Sequence, residues 1–275
     1  MAWGDVLDEN EYATYIKNFK YGSLIVIEHV RKIERDLKLP REKIHILDWG
    51  CGRGELTIWL REQGFDAFGV EVDEKIIRLS TDFLHQKGLP GSLLSLLRDN
   101  GTTVYPDNFF HVIFSKQVFE HIADMDAVAE EMARITAPNG TGCHVAPGHL
   151  FPIEGHLRMP FLHWLPKGRL RKCLVFLFVC LGIEPHWAGL RSIRQKTESY
   201  YKYSMKKTHY RSFSRIQRIF ESHGFSAKFA TLSHPKLRDS KWSRRLAKNR
   251  VSAPLLGYLL QTFVTVIFHF QKRSE

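Results

Sequence analysis

The chain has 275 residues with 44% hydrophobic and 25% charged content, which excludes wholesale disorder and suits one large domain or a core with an appendage. Lys+Arg outnumber Asp+Glu by 40 to 29, a formal net charge of +11. Four cysteines (Cys51, Cys143, Cys173 and Cys180) without a C-x-x-C pair exclude a disulfide framework and a thiolate zinc site, and fit a reduced, cytoplasmic setting.

From the start of the chain, residues 1–11 carry four acids and no base, so no secretory signal is expected there. Helical spacing predicts helices over 12–19 and 23–39, making residues 1–42 a helical cap able to lie over a ligand-binding edge. Residues 43–48 are a short apolar run ending in Asp48, the pattern of a strand covered on both faces. A helix over 54–63, a strand over 66–71 and a helix over 73–86 opened by Asp73 follow. Strands over 92–97 and 109–115, a helix over 124–137 stopped by Pro138, Asn139 and Gly140, and a strand over 141–146 complete the alternation. Residues 43–148 therefore predict an α/β core, a doubly wound, Rossmann-like, mostly parallel sheet with helices on both faces.

Beyond residue 148 the rhythm breaks. Residues 149–210 hold Pro152, Pro160, Pro166 and Pro185 among many aromatic and basic residues, and read as a basic, aromatic-rich insert over the substrate. Residues 211–275 close the domain with a helix that starts at 210 and runs to 223, strands over 225–232 and 264–271, and a basic insert over 236–250. The two strands bring the sheet to seven. The apolar run 173–183 is too short for a bilayer, which takes about 20 residues. The run 251–270 contains Pro254, Gly257 and Gln261, and is expected to be a short buried helix followed by the terminal strand. Lys167, Arg169, Arg171 and Lys172 directly precede the first run, and cations beside apolar area suit an anionic membrane surface.

The charge is divided along the chain. Residues 1–150 hold 16 Lys+Arg and 23 Asp+Glu, a net of −7, whereas residues 151–275 hold 24 and 6, a net of +18. A basic half on an acidic body points to a polyanionic partner.

The most informative segment is the loop after the first strand. Gly50, Gly52 and Gly54 permit a tight strand-to-helix turn and close approach of a ligand to the backbone. Glu71 follows Gly50 by 21 residues at the end of the second strand, where a carboxylate can accept both ribose hydroxyls. Asp99, after the third strand, is placed to meet an adenine amino group. The G-x-G-x-x-G fingerprint of nicotinamide-cofactor enzymes fails, because Glu55 or Thr57 occupies its last position. Asp48 and Glu55 beside the loop suit a cationic ligand rather than a pyrophosphate.

With Ser115 to His121 and the 130–140 segment, these residues resemble the class I S-adenosylmethionine-dependent methyltransferases, in the small-molecule and lipid-acting branch with an E-H-I/V segment. The resemblance covers about residues 43–147. It implies S-adenosylmethionine as cofactor, with Asp48, Gly50, Cys51, Gly52 and Gly54 around the methionine moiety. It implies Glu71 and Val72 at the ribose, Asp99 and Asn100 at adenine, and the backbone of Ser115 and Lys116 at the amino-acid end. Trp49 and Asn139 depart from the family's usual small residue and glycine. An N-P-P-Y motif of exocyclic-amine methylation is absent at 115–118.

A hydroxyl acceptor needs a base. Glu120, His121 and His149 are the catalytic candidates, with His156 and His163 behind them. The sevenfold spacing of His149, His156 and His163 matches no metal-ligand pattern, so no metal is expected. The first functional reading is O-methylation of a small or lipid-linked anionic acceptor by a cytoplasmic enzyme peripheral to the inner face of a membrane. An RNA methyltransferase is the alternative, because residues 200–211 interleave basic and aromatic side chains as a base-stacking platform does. A non-catalytic protein on the same fold is the third.

Overall fold

A computed structural model describes residues 10, 12–14, 20–98, 100–187, 189–233, 241, 245–246, 249 and 252–273. The apolar run after residue 43 forms β1 (His45–Trp49), whose residues 46–49 are all buried. It lies between β2 (Asp66–Glu71) and β4 (Phe110–Lys116), parallel to both. With β3 (Leu94–Leu96), β5 (Thr136–Pro147), β6 (Phe225–Phe229) and β7 (Thr265–Lys272), the seven-stranded order is β3-β2-β1-β4-β5-β7-β6. Only β7 runs antiparallel to its neighbours. The strand order reverses between β1 and β4, so a crevice opens beyond their carboxyl ends, where ligands of such sheets bind.

Helices cover both faces. On one, α1 (Lys20–Leu37) and α2 (Glu55–Glu62) pack Val30, Ile33, Leu56 and Leu60 against Ile46, Val112 and Phe114. On the other, α4 (Met125–Ile135) and α7 (Phe213–Ser222) bring Val128, Met132, Ile216 and Phe220 onto Leu47, Ile113 and Phe268. Between α2 and α4 in the chain, α3 (Glu74–Gln86) flanks the β3 edge through Phe83 and Leu84. Asp73 and Asp124 cap α3 and α4 by accepting from backbone N–H groups two or three residues on, a contribution of about 1 kcal/mol each.

The differences from expectation have local causes. The strand expected from 141 begins at Thr136, since Pro138, Asn139 and Gly140 form an irregularity inside β5 rather than a loop before it. Asn139 takes a left-handed φ of 61°, and the pairing with β4 shifts register between Phe110 and Val112. β3 is shorter because residues 91–93 after Pro90 coil into a 3-10 turn, and β6 ends at Phe229 ahead of another at 231–233.

The segment after β5 also contains helices that its irregular pattern did not announce. α5 (Arg169–Cys180) and α6 (Ile193–Lys206) enclose a separate core of Leu157, Met159, Leu162, Val175, Val179 and Tyr200. α6 opens with a reciprocal cap between Ser192 and Gln195.

The run 251–270 does divide into a helix, α8 (Ser252–Phe263), and β7, but α8 is not buried. Leu255 is 62% exposed, and Tyr258 and Leu259 are exposed beside it. α8 rests by Gly257 on Leu232 and by the Tyr258 ring edge-on to Phe213, leaving Leu255 and Leu259 facing outward. No described helix is long and apolar enough to cross a membrane. Most of the basic stretch 236–250 lies outside the described residues.

Candidate active site

The site has two halves on the carboxyl edge of the sheet. In the first, the chain leaves β1 through Gly50, Gly52 and Gly54 with φ of 75°, 54° and 83°, a conformation that side chains resist. A Cβ on Gly50 would come within 2.5 Å of Val118 Cγ2, so the loop and the turn after β4 touch only because residue 50 is bare. The N–H groups of Gly50 and Cys51 both donate to the Val70 carbonyl, tying the loop to β2. Glu71 closes the cradle, its Oε2 accepting from Gly52 N at 2.9 Å and its Oε1 from Val72 N at 2.7 Å.

Three carboxylates meet here. Asp48 is 5% exposed and its pKa is pushed up to about 8, first by burial and then by the charges of Glu55 and Glu71, with Lys116 opposing. Glu55 is partly offset by Arg53 at 3.0 Å. A crowded anionic pocket with bare glycine backbone fits a cationic ligand bearing an ammonium and a sulfonium, and would repel a pyrophosphate.

The other cofactor candidates divide between backbone and side-chain placement. Cys51 turns its buried side chain against Gly69, where a Cβ would lie 2.7 Å from its sulfur, and its thiol pKa is pushed far up by burial. Ser115 is buried with its hydroxyl on His144 Nδ1 at 2.6 Å, so its side chain is engaged within the sheet and its backbone remains for contact. Lys116 is exposed at the end of β4, close enough to Asp48 and Glu55 to feel both. Val72 is 71% exposed. Asn100 folds its side chain back onto Thr102 N and Oγ1. Asp99 lies outside the described residues.

The second half is built by the turn after β4 and by a hairpin of the following segment. Glu120 is 3% exposed, neither of its oxygens has a hydrogen-bond partner, and burial raises its pKa to about 7. His121 Nδ1 lies 2.6 Å from the Lys207 carbonyl and its Nε2 3.1 Å from His156 Nε2. His156 Nδ1 faces Glu154 Oε1 at 2.9 Å, and Tyr210 donates its hydroxyl to the same oxygen at 3.0 Å. The hairpin fixes Glu154, which is buried and accepts at Oε2 from the N–H groups of His156 and Leu157.

Proton positions follow from these partners. A carbonyl only accepts, so His121 Nδ1 carries a proton and its Nε2 lone pair accepts from His156 Nε2. With Glu154 ionised, His156 is protonated at both nitrogens, in agreement with a pKa raised by Glu154 against the effect of burial. His121 is held neutral, mainly by burial.

Glu120, His121 and His156 also place one potential ligand atom each within 4.8 Å of one another, a spacing that a divalent cation accepts once His156 gives up its Nε2 proton. The sequence hides this cluster because 35 residues separate His156 from His121.

His149 stands apart from the cluster, its ring edge-on to Phe213 at 5.8 Å. His163 lies on the Tyr210 ring at 4.3 Å with its pKa lowered to about 4 by burial. Glu154 and Tyr210 escaped the sequence reading; the only signal was an acid two residues before His156 across Gly155. In the interleaved run 200–211, Tyr201 stays half-buried with Lys172 Nζ 5.6 Å from its ring, whereas the other tyrosines turn inward. Tyr200 is buried with its hydroxyl on the Pro185 carbonyl, and Tyr203 and Tyr210 pack toward His156 and Glu154.

Residues 47–143 match the model of a family described as a methyltransferase domain. The chain is 29% identical over 120 residues to a nocamycin O-methyltransferase of Saccharothrix syringae, covering 42% of each chain. It is 26% identical over 163 residues to a ubiquinone biosynthesis O-methyltransferase of Rickettsia prowazekii, covering 55% of this chain and 62% of that one. The matches thus span less than two thirds of these relatives' lengths. An S-adenosylmethionine dependent methyltransferase from Mesorhizobium loti superposes with a TM-score of 0.50 at 14% identity, over 86% of this chain and 95% of that one, a likeness of fold.

Proposed function

We propose that this chain is a class I S-adenosylmethionine-dependent methyltransferase, and that it methylates a hydroxyl group of a small acceptor with apolar and anionic parts, beside a membrane surface. Bound in the cradle, S-adenosylmethionine supplies a methyl group activated by its sulfonium. Asp48 and Glu55 would hold the cationic end, Glu71 would take the ribose hydroxyls, and the backbone of Gly50 to Gly54 would let the cofactor approach.

The observation that carries the choice of a hydroxyl is Glu120. A buried carboxylate with two open oxygens and a pKa of about 7 is suited to take the hydroxyl proton as the oxygen attacks. Val118 lies against Gly50, and Glu120 follows it two residues on in the same turn. His121, neutral and fixed by Lys207 and His156, orients the acceptor side, and Glu154 positions His156.

The membrane context draws support from exposed apolar side chains on two parts of the basic half. Leu181 is 62% exposed, and Leu170, Phe176 and Leu177 of α5 are exposed with Leu255 and Leu259 of α8. Interfacial binding combines such area with cations. The free, exposed thiols of Cys173 and Cys180 suit a reducing compartment.

The test is transfer of labelled methyl to phenolic and alcoholic isoprenoids. Label should enter the hydroxyl-bearing acceptors, and Glu120→Gln should lower turnover by about 100-fold, with cofactor affinity changed less than about threefold. Full turnover by Glu120→Gln would remove the carboxylate from the reaction.

A further inference from the structure

Beside the Glu120 cluster, the approach to α5 and the 208–215 segment enclose an open cleft of about 570 Å³. Lys167, Arg171, Arg211 and Arg215 line it, together with Trp164 and Tyr210. Among the described residues, none of the four cations makes a salt bridge. Three of them are instead gripped by backbone carbonyls. Lys167 Nζ donates to Met205, Arg171 to Leu165 and Ser204, and Arg211 to Ile122, Ala123 and His209.

Carbonyl oxygens fix a cation's position without cancelling its charge. Lys167 has its pKa lowered by burial and by the charges of Arg171 and Arg211, and Arg211 by burial and by Arg215, with Asp124 opposing. Arg171 is the most telling member. It is 4% exposed, its Nε has no hydrogen-bond partner, and Glu154 is the acid that partly offsets its charge. A guanidinium buried with an open donor is destabilising until an acceptor completes it. A merely solvated basic face would carry its cations on free stems, with no buried member anchored in place.

We propose that this cleft binds a phosphate group carried by the acceptor. The fixed charges of Arg171 and Arg211 attract a phosphate, and Lys167 and Arg215 at the exposed side supply donors and complete the counter-charge. The cleft adjoins the reaction cluster through Tyr210 and Arg211, which line both it and the small cavity that holds Glu120, and Tyr210 donates its hydroxyl to Glu154. A phosphate held there places the rest of the acceptor along the wall that leads to His156 and Glu120. The exposed apolar side chains of α5 begin beside it, at Leu170. The identification of the ligand as the acceptor rests on the methyl-transfer reading; the anion site itself does not.

The experiment uses the full chain and three probes: inorganic phosphate, soluble short-chain phosphatidic acid, and phosphatidylcholine vesicles with or without phosphatidic acid. Lys167→Gln with Arg215→Gln removes the two exposed cations without disturbing buried Arg171. Arg218→Gln with Lys228→Gln removes two exposed cations elsewhere. The cleft variant should bind phosphatidic acid about tenfold more weakly, with the control within about twofold of the unmodified protein.

Displacement of soluble phosphatidic acid by inorganic phosphate would support recognition of the phosphate itself, as in a soluble phosphorylated ligand. Cleft-dependent binding of the lipid probes alone would support a lipid headgroup. No binding to the unmodified protein, or equal weakening in both double variants, would overturn the proposal. Titration with S-adenosylhomocysteine runs in parallel. Its failure with phosphate binding intact would overturn the methyl-transfer reading and leave the anion site standing.

Discussion

Asp48 meets Glu55 and Glu71 inside the protein, and that crowding sets a pH dependence. Its folded pKa of about 8 lies far above the ordinary 3.8, so the free protein holds a proton there at neutral pH. A raised carboxyl pKa means that this group's contribution to stability declines as pH rises from about 4 to about 8. A cationic ligand favours the ionised form, so its binding expels the proton. Affinity for S-adenosylmethionine should rise with pH, by up to about tenfold per unit below pH 8, and level off above it. Calorimetry in buffers of different ionisation enthalpy reads the proton directly; a binding enthalpy independent of buffer would contradict the crowded-carboxylate cradle.

In the second half, Glu154→Gln removes the counter-charge that keeps His156 protonated. Turnover should fall about tenfold or more while S-adenosylhomocysteine affinity holds, and the imidazolium signal of His156 should move to lower pH in an NMR titration. Gly50, Glu71 and Glu120 were legible as residues because each sits beside a strand end that the apolar pattern marks. Glu154 and Tyr210 were not, because they reach the site from a hairpin and a helix–helix connection with no periodic signature.

Among the elements, the glycine loop and the turn after β4 depend on one contact. Gly50→Ala adds a Cβ at 2.5 Å from Val118 and strains a φ of 75°, and should destabilise by about 2 kcal/mol. Combining it with Val118→Ala should recover part of that loss, and a double-mutant cycle measures how much. Additive losses would show that the loop and turn are not coupled. The strands were legible because parallel strands covered on both faces read as unbroken apolar runs. The start of β5 was not, since Pro138, Asn139 and Gly140 signal a stop to a reader of local propensity and are absorbed as an irregularity once β4 supplies a partner. α8 misled in the opposite direction. Its composition is that of a core helix, yet Leu255 and Leu259 face outward. Leu255→Ser with Leu259→Ser should therefore change stability by less than about 1 kcal/mol while lowering retention on anionic vesicles. A large loss of stability with unchanged retention would return α8 to a core role.

Across the whole molecule, the division of charge becomes a division of labour. The acidic half supplies the carboxylate cradle, and the basic half supplies the cleft and the exposed apolar helices. Composition made that asymmetry plain, whereas the pairing of Glu120 and His121 with Glu154 and His156 needed the fold. Titration of the full chain with S-adenosylmethionine, S-adenosylhomocysteine and NADH tests the cradle most directly. Both adenosyl ligands should bind in the micromolar range and NADH should not, because three clustered carboxylates favour a cation and repel a pyrophosphate. Binding of NADH in place of the adenosyl ligands, or of none of the three, would contradict the assignment of this site.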